Sequence, residues 1–223
     1  MMTTAIIVAA GKSERMGKDV DKAFLSLVDK PVVAWALLAF ERCPDVDRIV
    51  LVVRKEQQLA AKAVARMFGI SKLDRIVPGG KTRAESVAAG FAACDVDTRI
   101  VVVHDGARPL VKSDLVSEIV KAAKRSPAVA VGRPMTDTVK RCEKGVTVSE
   151  TVPREKLWTV QTPQAFQVKE FRAAYRALGK KDVTDDCQAL ELNGVAPKIL
   201  TSYQPNVKIT TPEDLQLAAA LLK

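Results

Sequence analysis

Three segments of this 223-residue chain combine glycines with charge in a way that suits the handling of an anion. The first, AAGKSERMGKDVDKAFL from Ala9 to Leu25, follows an apolar run and holds two glycines, four basic residues and three acidic ones. Gly11 and Gly17 would let the backbone approach a ligand closely, with N–H groups free to cradle phosphate oxygens. It matches neither standard nucleotide loop. Five residues rather than four separate the glycines, Lys18 is followed by Asp19, and Ser13 stands where a dinucleotide fingerprint needs its second glycine. A solvated charged loop is the plainer alternative. The second segment, PGGKTRAES from Pro78 to Ser86, is a paired-glycine turn running into a helix. Free N–H donors at a helix start suit an anion or a polar base edge, although such turns are common. The third, VHDGARP from Val103 to Pro109, ends the most apolar run. Asp105 is placed there to accept hydroxyl hydrogen bonds or to hold a metal through water, and Arg108 to fork onto a phosphate. An Asp–Arg salt bridge closing the turn is the alternative. A lone histidine ending an apolar strand, as His104 does, is more often structural than an acid or base.

The elements that would carry these loops follow from the apolar pattern. Short Val- and Ile-rich runs at Ala5 to Val8, Ile49 to Val53, Arg75 to Val77, Ile100 to Val103 and Ala128 to Val131 read as strands buried on both faces. Helical segments lie between them, at 31–42, 55–68, 82–94 and 113–124, with a last helix opening at Thr211-Pro212-Glu213-Asp214. Alternating strand and helix predict a doubly wound α/β domain with a mostly parallel sheet, and in such sheets ligands bind beyond the carboxyl ends of the strands. Pro31 suits the first turn of its helix, Thr82 and Ser113 suit caps, and Thr211 with Pro212 and two acids suits a capped helix start. Three further short motifs, Thr162-Pro163-Gln164, Thr184-Asp185-Asp186 and Asn206 to Thr210, say little singly. The middle one could simply begin a helix through Leu192.

Residues 137–158, DTVKRCEKGVTVSETVPREKLW, break the rhythm. β-Branched alternation around Lys144-Gly145 predicts a hairpin with Val146 and Val148 on one face and Thr147 and Ser149 on the other. A ribbon so small is seldom stable alone, so it must lie on the edge of its own domain or pack on a second subunit.

Composition narrows the partners. A 48% hydrophobic content and this length fit one domain, 1–223, with a real core. No apolar run is long enough to cross a bilayer and no basic-then-apolar leader opens the chain, which leads us to expect a cytoplasmic protein with no membrane partner. Four scattered cysteines and one histidine supply a metal poorly. The net charge of +9 asks for a negatively charged partner, but the bases are spread along the chain and aromatics are only 4%, which argues against nucleic acid.

Taken in order, AAGKSERMG, DKAFL, GGKTRAESV, VHDGARP, DTVKR, TPQAF, TDDCQALE and NVKITTPEDL resemble, with the same spacing, the 2-C-methyl-D-erythritol 4-phosphate cytidylyltransferase family of the bacterial isoprenoid pathway. The resemblance covers nearly the whole chain. It implies a Rossmann-like nucleotidyltransferase that joins its substrate's phosphate to the α-phosphate of CTP, releasing pyrophosphate, with Mg2+ or another divalent cation carried mainly by CTP phosphates and water. It further implies that Ala9, Ala10 and Gly11, with Gly80 and Ser86, surround cytosine and ribose, and that Arg15 and Lys22 grip the triphosphate. Asp105, Gly106 and Arg108 would meet ribose and the acceptor, and Thr184 and Lys208 would complete the floor. Thr138 and Arg154 would sit on an arm, 137–158, that reaches the partner subunit's site in a homodimer; Arg15, Lys22, Arg154 and Lys208 would be catalytic. The chain ends after its last helix, so the synthase domain fused to some relatives is not expected. Two departures stand out: Asp21 replaces the family's usual proline before Lys22, and Lys81 stands where some relatives are acidic. A ribitol 5-phosphate cytidylyltransferase is the nearest rival. Sugar-1-phosphate uridylyl- or guanylyltransferases and a basic nucleic-acid-binding protein follow, and the failed fingerprint disfavours a nicotinamide dehydrogenase.

Overall fold

Strands rich in Val and Ile and buried on both faces must be covered on both faces, and the fold does this with two helical layers. A computed structural model of the chain describes residues 1–11, 21–179 and 181–222. Its first half runs β1 (Met2–Ala9), β2 (Ser26–Leu27), β3 (Lys30–Pro31), α1 (Val32–Glu41), β4 (Arg48–Val53), α2 (Gln58–Met67), β5 (Leu73–Pro78), α3 (Arg83–Ala92) and β6 (Thr98–Asp105). The second half runs α4 (Ser113–Ala123), β7 (Ala128–Pro134), β8 (Val139–Arg141), β9 (Glu150–Val152), β10 (Trp158–Gln167), α5 (Val168–Leu178), α6 (Asp186–Glu191), β11 (Lys198–Thr201) and α7 (Pro212–Leu221).

Seven strands form one sheet in the order β11-β7-β10-β6-β1-β4-β5. Every neighbouring pair is parallel except those made by β10, which runs against both β6 and β7. Alternation sorts the side chains: Ala5, Ile7, Ile100 and Val102 pack with α1, α2 and α4, while Ile6, Val101 and Val103 pack with α3, α5 and α6. The register lines up the strand ends, pairing Val8 with Asp105, Ala9 with Val53, and Val53 with Pro78. Every glycine- or charge-rich loop of interest on this half of the sheet therefore leaves from one edge, as the alternation predicted.

Departures from the sequence reading have local causes. Thr162-Pro163-Gln164, which said little by itself, lies inside β10, where the pairing with β7 shifts register between Gln161 and Gln164 and the Thr162–Pro163 peptide is cis. Proline, lacking a ladder donor, is accommodated in a strand at such an irregularity. Pro31 precedes α1 with extended backbone (φ −58°, ψ 145°) rather than entering its first turn. Ser113 is the first residue of α4 and makes no cap, whereas Thr82 caps α3 in a full capping box with Glu85. In the hairpin the pair closing the turn is Lys144 with Thr147, so the turn centres on Gly145-Val146, one residue later than expected. Gly145 has φ 59°, and Val146, 95% exposed, belongs to the turn rather than to a strand face. β8 and β9 pair only with each other among the described strands.

His104 proves structural. It is fully buried in β6, with Nδ1 3.1 Å from the Thr162 hydroxyl and Nε2 3.2 Å from the Arg108 carbonyl. A carbonyl can only accept, so Nε2 carries the proton; Nδ1 then accepts from Thr162, whose oxygen accepts the Asp105 N–H at 3.0 Å. The neutral ring thus ties β6 to β10 and to the loop that follows β6.

Two predictions test how the sheet holds its strand ends. A Cβ on Gly90 of α3 would lie 2.5 Å from Ile6 Cγ2 and 2.8 Å from Val52 Cγ2, both in the core. Overpacking, at about 1–3 kcal/mol, should outweigh the gain of about 1 kcal/mol from replacing a helical glycine, so Gly90→Ala is expected to unfold at lower denaturant concentration with an unchanged slope. Burial lowers the His104 pKa to about 4 from its ordinary 6.5. Because the folded value is the depressed one, this contribution is complete above pH 6.5 and is lost as the pH falls through about 4, a change of about 3 kcal/mol. Unfolding measured across that window should fall more steeply in the wild type than in His104→Gln.

Candidate active site

At the carboxyl ends of β1, β4, β5 and β6 lies a cleft of about 820 Å³. Part of its lining is backbone and small side chains. Ala9, Ala10 and Gly11 continue β1 into the cleft, opposite Gly79 and Gly80. Both glycines after β5 are required by close approach: a Cβ on Gly79 would sit 2.3 Å from the Ala10 Cβ, and one on Gly80 2.3 Å from the Glu85 Cβ. Ser86 braces this turn, accepting the Gly80 N–H at 3.1 Å and donating to the Thr82 carbonyl at 2.9 Å. Glu85 accepts the Lys81 N–H at 2.6 Å, so the backbone here is fastened.

The same lining carries charge. Lys22, in a short helical turn at Lys22–Phe24, lines the cleft with Arg54, Lys55, Lys81, Arg83 and Lys208, and these cations outnumber the lining carboxylates Asp21, Glu56 and Asp105. Asp105 ends β6 with its side chain among three cations. Lys208 Nζ lies 2.8 Å and Arg108 Nε 3.5 Å from Oδ2, and Arg83 Nε lies 3.4 Å from Oδ1. Burial alone would raise this carboxyl group; Lys208, Arg83 and Arg108 hold it well below the usual carboxylate range, so it is ionised at neutral pH. The loop bearing Lys208 is stapled beside it: the Ile209 N–H donates to Ala107 at 2.8 Å, and Asn206, buried, donates to the Thr162 carbonyl at 2.7 Å.

The sequence-predicted residues divide accordingly. Ala9, Ala10, Gly11, Lys22, Gly80, Ser86, Asp105 and Lys208 meet around the cleft. Arg15 lies outside the described residues. Gly106 sits behind Ala9, its N–H on the Val8 carbonyl at 2.8 Å, and Arg108 donates to the Asn206 carbonyl at 2.8 Å while facing Asp105; neither lines the cleft. The salt bridge that closes the turn, the plainer reading of Asp105 and Arg108, is therefore present. Thr184 donates through both N–H and hydroxyl to Gln188 at the start of α6, away from the lining, and Asp185 caps that helix. Thr138 and Arg154 are exposed on the hairpin side, with Arg154 Nη1 donating to the Thr136 carbonyl. Asp21 does not face solvent. Its carboxylate accepts from Arg54 at 2.8 and 3.1 Å and from the Ala23 N–H at 3.1 Å, which caps the turn that carries Lys22.

Arg83 was missed, although it stands in a quoted motif. It is the first residue of α3, where the helix dipole disfavours a cation. A cation at that position implies carboxylate partners brought by the fold, and here they are Asp105 and the fully buried Asp186, whose Oδ2 lies 2.7 Å from Arg83 Nη2. Arg54 carried no such signal.

Comparison with known proteins gives the family. The family model described as 2-C-methyl-D-erythritol 4-phosphate cytidylyltransferase matches residues 3–223. A protein of that name from Alkaliphilus oremlandii (strain OhILAs) is 41% identical over 224 residues, covering 99% of this chain and 95% of the relative. One from Dehalococcoides mccartyi (strain ATCC BAA-2266 / KCTC 15142 / 195) is 43% identical over 220 residues, covering 98% and 95%. Among solved structures, 4-diphosphocytidyl-2C-methyl-D-erythritol synthase from Anaerococcus prevotii DSM 20548 superposes with a TM-score of 0.86 at 30% identity, covering 99% of this chain and 98% of that one. The 2-C-methyl-D-erythritol 4-phosphate cytidylyltransferase from Thermus thermophilus gives 0.81 at 31% identity, with 99% and 98% covered. With its backbone-walled recess, its cation-lined cleft and these matches along its length, the chain belongs to the 2-C-methyl-D-erythritol 4-phosphate cytidylyltransferase family.

Proposed function

We propose that this chain transfers CMP from CTP to 2-C-methyl-D-erythritol 4-phosphate, giving 4-diphosphocytidyl-2-C-methyl-D-erythritol and pyrophosphate. The observation that carries the reading is one cleft lined both by small residues, at Ala9 to Gly11 and Gly79-Gly80, and by a surplus of cations around one ionised carboxylate. The first suits a flat base held by backbone groups, the second suits phosphates, and Asp105 suits hydroxyl donors.

The reaction needs little covalent help. The attacking group is a phosphate with a second pKa of about 6, already ionised at neutral pH, so no general base is required. The one histidine could not serve, since both ring nitrogens are engaged inside the core. The barrier is the approach of two anions, which fixed cations lower by offsetting the charge at the transferred phosphorus and on the leaving pyrophosphate. Lys22 and Lys208 take that part here, with Arg15 as a further proposed donor. Removing one such group typically costs about 10²–10³ in rate. Gly106, Arg108 and Thr184 then act by supporting the floor.

Among the described residues no group of three His, Cys, Asp or Glu could hold a metal, and the pocket's Asp21 and Asp105 are both ion-paired. The described donor set does not fit a protein-held divalent cation, and Mg2+ is assigned to the nucleotide's own oxygens and water. No described helix is long and apolar enough to cross a membrane; we take the enzyme to work in the cytoplasm.

We further infer a single catalytic unit over 1–223 with 137–158 as a dimerisation arm. A two-stranded ribbon is marginal alone, β8 and β9 pair only with each other among the described strands, and Thr138 and Arg154 do not line their own chain's cleft.

A pyrophosphate-release assay crossing CTP, UTP and ATP with methylerythritol phosphate and ribitol phosphate tests the reaction. Release is expected with CTP and methylerythritol phosphate; preference for ribitol phosphate would replace the acceptor, and no release with any pair would overturn the reading. The arm is tested by mixing Lys22→Ala and Arg154→Ala subunits. Each variant alone should be nearly inactive, and mixed dimers should regain up to about a quarter of wild-type activity, since half would be heterodimers with one intact site. Heterodimers without activity would exclude a shared site.

A further inference from the structure

Behind the cleft, Asp105 is connected to the second helical layer by a chain of polar groups that the reaction does not itself use. Tyr175 of α5 donates to Asp186 Oδ1 at 2.5 Å, Arg83 Nη2 donates to Asp186 Oδ2 at 2.7 Å, and Arg83 Nε faces Asp105 Oδ1 at 3.4 Å. The far end of this chain is packed into the core. Asp186 is fully buried, and Tyr175 stacks on the buried Phe171 with ring centroids 4.4 Å apart. The near end is one oxygen of the carboxylate at the centre of the site. Its other oxygen is held by Lys208, on a flexible stem with 37% of the side chain exposed, and faces Arg108 Nε. Arg83 is thus the link between Asp105 and a buried, packed part of the core.

Its planar fork explains why an arginine stands there. Guanidinium can bridge two carboxylates in a fixed relation, through Nη2 to one and Nε to the other, whereas an ammonium is a point charge that could serve both only loosely. Burial alone would lower the basicity of Arg83, and Asp186 and Asp105 more than offset that, so the link is a permanent cation.

We infer that Arg83 is a positioning residue: held by the Tyr175–Asp186 pair, it fixes the plane of the Asp105 carboxylate so that the lone pairs facing the cleft meet substrate hydroxyls. The inference rests on the proposed transfer from CTP to a polyol phosphate.

A double-mutant cycle tests it. Arg83→Gln should lower kcat/KM about tenfold, and in an Asp105→Asn background the same change should cost less than about twofold, because the group it orients is already altered. Equal costs in both backgrounds would overturn the inference, since a purely structural role would act without Asp105. Arg83→Lys keeps the charge and should raise the melting temperature above that of Arg83→Gln without restoring kcat/KM; full restoration by lysine would show that charge alone suffices and would overturn it. A crystal structure of Arg83→Lys, which needs no turnover, should show the Asp105 carboxylate rotated from its wild-type plane, and an unmoved carboxylate would refute the role. Absence of pyrophosphate release in the wild type would instead count against the functional reading, with the carboxylate's plane in the variant still deciding this one.

Discussion

A carboxylate buried at the end of a central strand, inside a cleft that has to receive phosphates, would repel its own ligands unless cations surrounded it. Asp105 has three, and each comes from a different part of the chain: Arg83 from the start of α3, Arg108 from the loop after β6, and Lys208 from the segment before α7. Desolvation makes a lone buried charge expensive, and removing one partner of such a pair typically costs about 3–5 kcal/mol. The carboxylate therefore selects folds in which all three segments arrive together. In the same step it leaves the site with a surplus of positive charge and one group able to accept hydroxyl hydrogen bonds. Stability and ligand chemistry meet at one side chain.

The same requirement explains features that look unfavourable alone. A cation at the first position of α3 opposes the helix dipole, yet there it lies within reach of Asp105 and Asp186. The helix start is then secured by other means, with Thr82 accepting the Glu85 N–H at 3.1 Å and Glu85 reaching back to the loop N–H groups. The glycine pair before it lets the turn lie against Ala10, so the wall for a flat ligand and the anchor for Arg83 are two consequences of one tight connection.

Much of this was legible in the sequence because the signals were local. Parallel strands advertise themselves by unbroken Val and Ile runs, and the register of β1, β4, β5 and β6 then delivers their loops to one edge. What was not legible depended on partners far away in the chain. β10 holds a proline in mid-strand and has few β-branched residues, and its place between β6 and β7 is fixed by pairing, not by its own pattern. The hairpin turn slipped by one residue because Lys144-Gly145 and Gly145-Val146 both satisfy the local rule that a glycine occupies the turn, and only the cross-strand pair Lys144 with Thr147 decides between them. Arg83 and Arg54 owe their roles to carboxylates distant in sequence, which spacing along one strand or helix cannot reveal.

Asp21 shows how such a distant partner changes the meaning of a substitution. Beside Lys22, an added carboxylate reads as a threat to phosphate binding. In the fold its Oδ2 takes both Arg54 contacts and its Oδ1 takes the Ala23 N–H, with 6% of the side chain exposed. The new charge is thus met by a cation at the end of β4, and the carboxylate caps the turn that carries Lys22. A proline at this position would limit the backbone through its ring, by fixing φ. An aspartate with these contacts limits the same turn from outside, through hydrogen bonds that tie it to the sheet. The two residues share no chemistry, but either can reduce the freedom of the segment that presents Lys22, and with its carboxylate paired to Arg54 the added negative charge is compatible with a site that works by attracting anions.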